Sequence, residues 1–390
     1  MNIDEEFGRH LPALLAEEPM PPSTVDIGLA MTAGRRRRRV RHVGSAIAVL
    51  AVITAVPIAL QSQRPQAPPL ALPSSSPSMA GNPAACEVAQ TAAGFLTFNT
   101  DPTGRHFAGT VEDSNAEEVA RHQPAIWRDG KIERIPIPAG NSGYVDAISA
   151  SGMVVGRLVG NTGVVVFAYA NGKLQVLPQS QDSRVSSVNA SGVIAGSQLF
   201  EGHWRPVRWR SLTSAPEKLA LPDGANSGMA SVVTDDGRVL GSAGFAQAGS
   251  YQGGPYLWTP DGKGSALPTP GGLSVAVAVG GGEWIGGQVP AKDEASKPDA
   301  FVLNTRTHEF RRFPNILLEG EMSVSAIGWF IGQRLDNKGQ RVLTDGTTFI
   351  TLPPPPGSAH VVLDSVAADT TVVTGHRTEI PYAGVIWRCH

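Results

Sequence analysis

Three features of this sequence predict an all-β fold built from repeats. The chain has 44 glycines and 31 prolines in 390 residues, well above the usual combined share of about 12%. That much punctuation suits many short strands and argues against a helical bundle. A unit also recurs from residue 84 onward, in which a strand, a turn and a short apolar strand close on glycine. It reads AISASGMVVGRL (147–158), SVNASGVIAGSQ (187–198) and SVVTDDGRVLGSA (231–243), then AVAVGGGEWIGGQV (276–289), SVSAIGWFIGQRL (323–335) and SVAADTTVVTGHR (365–377). A weaker first copy is FLTFNTDPTGRHFAGTVE (95–112). The third feature is a second landmark series with the same period. It consists of Trp127, Tyr169, Trp209, Trp258, Leu303, Leu343 and Trp387, each but the last followed by an apolar-Pro pair such as Ile135-Pro136 or Leu177-Pro178.

The closing glycines Gly109, Gly156, Gly196, Gly241, Gly286, Gly332 and Gly375 lie 40 to 47 residues apart. Four short strands in such a repeat make the blade of a β-propeller, and seven copies predict seven blades. Within a blade, the SG, DG and GG pairs between the first two strands are hairpin turns needing positive φ. The unit at 323–335 lacks a clear turn dipeptide, and Ala278 and Ala367 stand near positions held by Ser or Asn elsewhere. The Trp, Tyr and Leu landmarks are expected to fill the space between blades. Proline at the end of the fourth strand suits an outer edge, where a missing N–H costs little and blocks further pairing.

Six apolar-Pro strands accompany seven first strands, because the chain stops at VIWRCH. The segment ACEVAQ (85–90) precedes the first unit where a fourth strand belongs, so it is expected to complete the last blade. Cys86 and Cys389, the only two cysteines, then fall on neighbouring strands. A disulfide is predicted between them, as an oxidising compartment permits.

Residues 1–42 are expected to form a cytoplasmic tail, 43–61 a transmembrane helix, 62–85 a disordered Pro/Ser-rich linker and 86–390 the extracytoplasmic propeller. Val43 to Gln63 carries no formal charge, and the apolar stretch 43–60 would span roughly 27 Å as a helix, near a hydrocarbon core of about 30 Å. Arg35, Arg36, Arg37, Arg38, Arg39 and Arg41 precede it. The positive-inside rule then puts the N-terminus in the cytoplasm, with the arginines at anionic headgroups. A cleaved signal peptide fits less well, since 42 residues precede the span and Ala55-Val56-Pro57 is a poor cleavage site. Leu11, Leu14 and Leu15 fit one helical face in the tail, whose cytoplasmic partner is unknown.

The repeated A-I/V-N/S-x-x-G-x-V-x-G unit, followed by W-x-x-G and L-P, resembles the bacterial extracellular HAF-type repeat proteins over residues 86–390. The arginine run before an apolar span resembles the leader of many actinobacterial single-pass membrane proteins. These resemblances imply a surface or secreted β-repeat protein and imply no activity.

A formal net charge of −2 supplies no basic field for nucleic acid. The sequence holds no H-E-x-x-H, C-x-x-C, Walker or EF-hand pattern, and Ser142-Gly143 in GNSG lacks the G-x-S-x-G frame. No metal or cofactor is expected. In a propeller the loops joining strands two and three share a face with the blade-to-blade connections, and here several are long. That face carries Glu117, Glu118, His122, His203, Trp204, Tyr251, His376, Arg377 and Tyr382, residue types suited to sugar or peptide ligands. With Asp146, six of these (His203, Trp204, Tyr251, His376, Arg377 and Tyr382) are the candidate ligand-binding residues. The expected function is non-catalytic binding or scaffolding at the cell surface, toward a glycan or protein. The alternative is a surface glycan hydrolase or lyase drawing acids from Asp146, Glu117 or Glu118. A sensor signalling to the tail is the weakest reading.

Overall fold

A computed structural model describes residues 85–112, 122–128, 130–161, 163–247, 250–269, 276–278, 282–289, 299–320, 324–336, 339–358, 360–368, 371–379 and 382–390. The expected tail, membrane span and linker lie outside the described residues, and no described helix is long and apolar enough to cross a membrane.

The described residues form seven four-stranded antiparallel sheets, the blades of a propeller. Blade 1 holds β2 (Phe95–Thr100), β3 (Phe107–Glu112), β4 (His122–Arg128) and β5 (Lys131–Arg134). Blade 2 holds β6 (Ser142–Ile148), β7 (Val154–Gly160), β8 (Gly163–Ala170) and β9 (Lys173–Val176). Blade 3 holds β10 (Ser183–Val188), β11 (Ile194–Phe200), β12 (His203–Trp209) and β13 (Glu217–Lys218). Blade 4 holds β14 (Ser227–Val233), β15 (Val239–Gln247), β16 (Ser250–Trp258) and β17 (Gly264–Ala266). Blade 5 holds β18 (Ala276–Ala278), β19 (Trp284–Val289), β20 (Asp299–Asn304) and β21 (Phe310–Phe313). Blade 6 holds β22 (Ile316–Leu318), β23 (Phe330–Arg334), β24 (Gln340–Thr344) and β25 (Phe349–Thr351). Blade 7 holds β26 (Val361–Val366), β27 (Val372–Arg377) and β28 (Gly384–Cys389), and β1 (Cys86–Gln90) completes it.

The N-terminal strand closes the ring as expected. β1 pairs antiparallel with β28 in register from Cys86↔Cys389 to Gln90↔Val385, and Cys86 and Cys389 form a disulfide. The pairing extends beyond the strands, since Ala85 and His390 exchange backbone hydrogen bonds and Thr91 N donates to Gly384 O.

The repeated turn has one construction. Ser149 N donates to Met153 O at 2.9 Å and Gly152 N to Ser149 O at 2.9 Å, while Met153 N donates to Ser149 Oγ at 3.1 Å. Asn189 does the same with Val193 and Gly192. So does Ser325 with Trp329 and Gly328, despite the absence of an obvious dipeptide. The turn glycines take φ of +80°, +81° and +84°, where a Cβ would be strained. Blade 6 departs from expectation at its first strand. It lies at Ile316–Leu318, and an isolated bridge follows at Val324↔Phe330.

The closing glycines have a common cause. Each first strand of blades 1, 2, 3, 4 and 7 carries a bulge, at Phe98, Asp146, Ser186, Ser231 and Asp364, directly after the residue that faces the glycine. A Cβ on Gly156, Gly196, Gly241 or Gly375 would lie 1.9–2.3 Å from the carbonyl oxygen of Tyr144, Arg184, Met229 or Val362. The bulge brings the two backbones too close for any side chain.

Every interface between neighbouring blades has its own apolar cluster, seven around the ring. The landmark aromatics belong to these and also bond across them. The indole N–H groups of Trp209, Trp258 and Trp387 donate to Pro178 O, Ala220 O and Pro353 O of the preceding blade, and Tyr169 Oη donates to Glu133 Oε1 at 3.0 Å. The apolar-Pro pairs thus lie just past the outer strands and supply acceptors, beyond the edge-blocking role expected of proline.

Two outcomes follow. Cys86→Ser is expected to lower stability by about 5–6 kcal/mol on loop entropy, read as a lower denaturation midpoint that reductant also produces in the wild-type chain. Gly241→Ala should cost about 3 kcal/mol, whereas Gly254→Ala, in open space, should cost under about 1 kcal/mol. Equal losses at the two glycines would refute the close-approach explanation.

Candidate functional site

The bulges recur at one level of the innermost strands, and two of the bulged residues are acidic, Asp146 and Asp364. Glu319 follows the residue facing the closing glycine of blade 6, and each of the three acids has a basic partner on its own blade. Arg157 Nε and Nη2 reach Asp146 Oδ2 and Oδ1, both at 2.8 Å. His376 Nδ1 lies 3.0 Å from both Asp364 oxygens. In blade 6, Glu319 accepts from Arg341 Nε at 3.2 Å. Arg157 also sits over the Tyr144 ring at 5.9 Å, and that ring lies 5.1 Å from the His122 ring. Burial pushes the Glu319 carboxyl up, against the pull of Arg341. Burial alone would lower His376, but the hydrogen bond and charge of Asp364 outweigh it and leave it raised.

Glycoside hydrolysis needs one carboxyl poised as acid and a second as base or nucleophile. Glu319 and Asp364 occupy adjacent blades, yet each is matched by its own cation, as is Asp146. Charge-matched pairs of this kind brace an inner strand against the next. Glu117 and Glu118 lie outside the described residues.

The sequence-derived residues spread over blades 2, 3, 4 and 7. Asp146 is buried in the inner ring rather than presented on a loop. His203 is half-buried at the start of β12, beside Trp204, whose ring carries the Arg184 guanidinium at 4.8 Å. Tyr251 folds back over Gly253, where a Cβ would meet its hydroxyl, and bonds Ser242 Oγ at 3.1 Å; burial raises its phenol. In blade 7, Arg377 Nη2 donates to Gly357 O of the connection from blade 6, and Tyr382 O accepts from Gly94 N beside the closure. Ser142 is 3% exposed, and a Cβ on Gly143 would strike Pro124, which makes this Ser-Gly a packing element.

Sequence reasoning missed Glu319 and Asp364, and it missed an apolar patch. Strand alternation puts Arg184, Leu199 and Trp204 on the side of blade 3 facing blade 4, with Ala195. Phe245 lies on the side of blade 4 facing blade 3, with Ala243. Leu199 is 43% and Phe245 46% exposed. Both lie toward the ends of second strands at the long-loop face, so the facing sides of blades 3 and 4 present exposed apolar side chains there, with one arginine over an indole ring. Ser227 Oγ donates to Trp204 O at 3.2 Å and ties the two blades at that end.

Ring, bulges and closure together define a seven-bladed β-propeller. No family model matches the chain, and no curated protein matches it. Solved structures share the fold at a distance. TolB from Acinetobacter baumannii is 11% identical with a TM-score of 0.43, the match covering 73% of this chain and 63% of that one. The Cps50 (Swd1) propeller domain of Myceliophteria thermophila is 10% identical with a TM-score of 0.46, covering 76% and 98%. A prolyl endopeptidase is 11% identical with a TM-score of 0.43, covering 74% of this chain and 41% of that chain. At these identities the likeness concerns the fold alone.

The His376–Asp364 pair gives a pH dependence. A raised folded pKa means that its stabilisation is complete below the ordinary histidine value of about 6.5 and is lost as pH rises through the higher folded value. The melting temperature should therefore fall as pH rises above about 6.5, and this step should vanish in His376→Gln. A step of unchanged size in that variant would remove the pair as its source.

Proposed function

We propose that this chain is a membrane-anchored extracytoplasmic binding module whose propeller holds a cell-surface glycan or peptide on its long-loop face without altering it. The observation that carries this reading is the exposed apolar patch on the facing sides of blades 3 and 4 at the long-loop face. Exposed large apolar side chains at one strand end, beside an aromatic ring under an arginine, suit a binding surface. The inner-ring carboxylates support it from the other side, since each is paired with a basic side chain.

The placement outside the membrane rests on two features. The Cys86–Cys389 disulfide points to an oxidising, extracytoplasmic location, and the uncharged stretch 43–61 after the arginine run supplies the anchor. The finer kinship with the HAF-type repeat proteins belongs to the same reading, resting on the repeated A-I/V-N/S-x-x-G-x-V-x-G unit. β28 leaves the long-loop face at Gly384 and β1 runs antiparallel to it. Residue 85 therefore stands at the opposite, hairpin-turn face of the propeller.

The test is to mix the full chain with fragmented cell-wall glycans and peptides and follow masses by mass spectrometry. Ligand is expected to be retained with its mass unchanged. Retention should weaken at least tenfold in Trp204→Ala and Phe245→Ala, with the melting temperature kept, as for loss of an aromatic anchor. New product masses that disappear when the protein is boiled would overturn the non-catalytic reading.

A further inference from the structure

At the hairpin-turn face the central channel opens into a cavity of about 370 Å³, within the small range of ligand pockets. Six first-to-second-strand turns reach it with the residue after the turn's first position: Pro102, Ala150, Ala190, Asp235, Ala326 and Ala368. Four are alanine and one proline. None fills the mouth, and a bulky side chain at any of them would project across it.

Asp235 is the exception. It is exposed, and its Oδ1 accepts from Ala190 N at 3.0 Å, which leaves the second oxygen for a ligand. Two ion pairs stand on the same side of the cavity. Arg238 Nε reaches Asp236 Oδ2 at 2.7 Å, and Arg306 pairs with Glu283. Asp236 is fixed further by the Thr234 hydroxyl and Arg238 N. Although burial opposes it, these partners hold its carboxyl below the usual range. A guanidinium has five N–H donors, so each arginine keeps donors beyond its pair. The lining from blades 1, 2, 6 and 7 is apolar apart from Thr100.

We propose that this mouth is a binding site for a small zwitterion of the amino-acid or dipeptide class, its ammonium on Asp235, its carboxylate on Arg238 and Arg306, and its side chains against the alanine-lined wall. The charges select this class over simpler ions. A bare anion would meet three carboxylates, and a bare cation would meet two guanidiniums. A molecule bearing both charges on a short apolar frame satisfies Asp235 and the spare donors together. The site is independent of the long-loop patch, sharing no residue with it and lying at the other face.

The test titrates the full chain calorimetrically with alanine, Ala-Ala, N-acetyl-Ala-Ala and Ala-Ala amide. One-site binding of alanine or Ala-Ala is expected, and either cap should weaken Ala-Ala at least tenfold, as loss of a charge-assisted contact does. Asp235→Asn should weaken it to the same extent, and Ala150→Phe should abolish it by plugging the mouth. Both positions are exposed, and an unchanged melting temperature verifies each variant. Trp204→Ala should leave the binding intact. The proposal is overturned if neither alanine nor Ala-Ala binds at about 10 mM, if the capped forms bind equally well, or if binding survives Ala150→Phe.

Discussion

A ring of sheets is only as stable as its last joint. The third strand of blade 7, Gly384–Cys389, would otherwise present a bare row of N–H and C=O groups, which invites pairing with other chains. Here that row is covered by residues from the start of the domain, so no blade edge inside the ring stays open and the two ends become one sheet. The disulfide then joins positions 303 apart in sequence, and opening the last blade means opening the whole circle. Each blade interface depends on this closure, because an apolar cluster shared by two blades stays dry only while both neighbours are held in place.

Closure also forces the innermost strands together, and the bulges are how the backbone accommodates that. An extra residue increases local twist and turns one side chain out of the ladder. The cost is a carbonyl driven into the facing strand, tolerated because the facing residue is glycine. Once an inner ring of bulged positions exists, a carboxylate there is buried, and a buried carboxylate is stable only with a partner. Arg157, Arg341 and His376 supply those partners from the blade's own second or third strand. Chemistry at the ring is thereby muted, and the exposed features capable of recognition lie at the two ends of the channel.

Blade number and the inter-blade aromatics were legible because each answers a constraint repeated around the ring, and closure and the disulfide because the missing fourth strand and the only two cysteines fall at the same joint. A glycine that faces a bulge cannot drift, and a tryptophan that fills an interface and bonds the preceding blade leaves a period. The bulged residue itself left no such trace. Phe98, Asp146, Ser186, Ser231 and Asp364 share a backbone role and little chemistry, so Asp146 was singled out by residue type alone and Asp364 and Glu319 were overlooked. The first strand of blade 6 was misplaced for a related reason. The apolar run from Val324 imitates the strand at Ile316–Leu318.

The patch was hidden by strand alternation. Leu199 and Phe200 are consecutive and equally exposed, yet they face opposite neighbours, and only the pairing Leu199↔Trp204 reveals which one lies on the side of Phe245. The cavity was hidden by the modesty of its residues. Alanine after the first turn position looks like the absence of a signal, and it is meaningful only when six turns are seen to converge. Around that ring the side chains able to close the mouth have been left small, and the single charged member stands beside two arginines with donors to spare. A scaffold that merely had to fill its own axis would have no reason to keep that mouth clear.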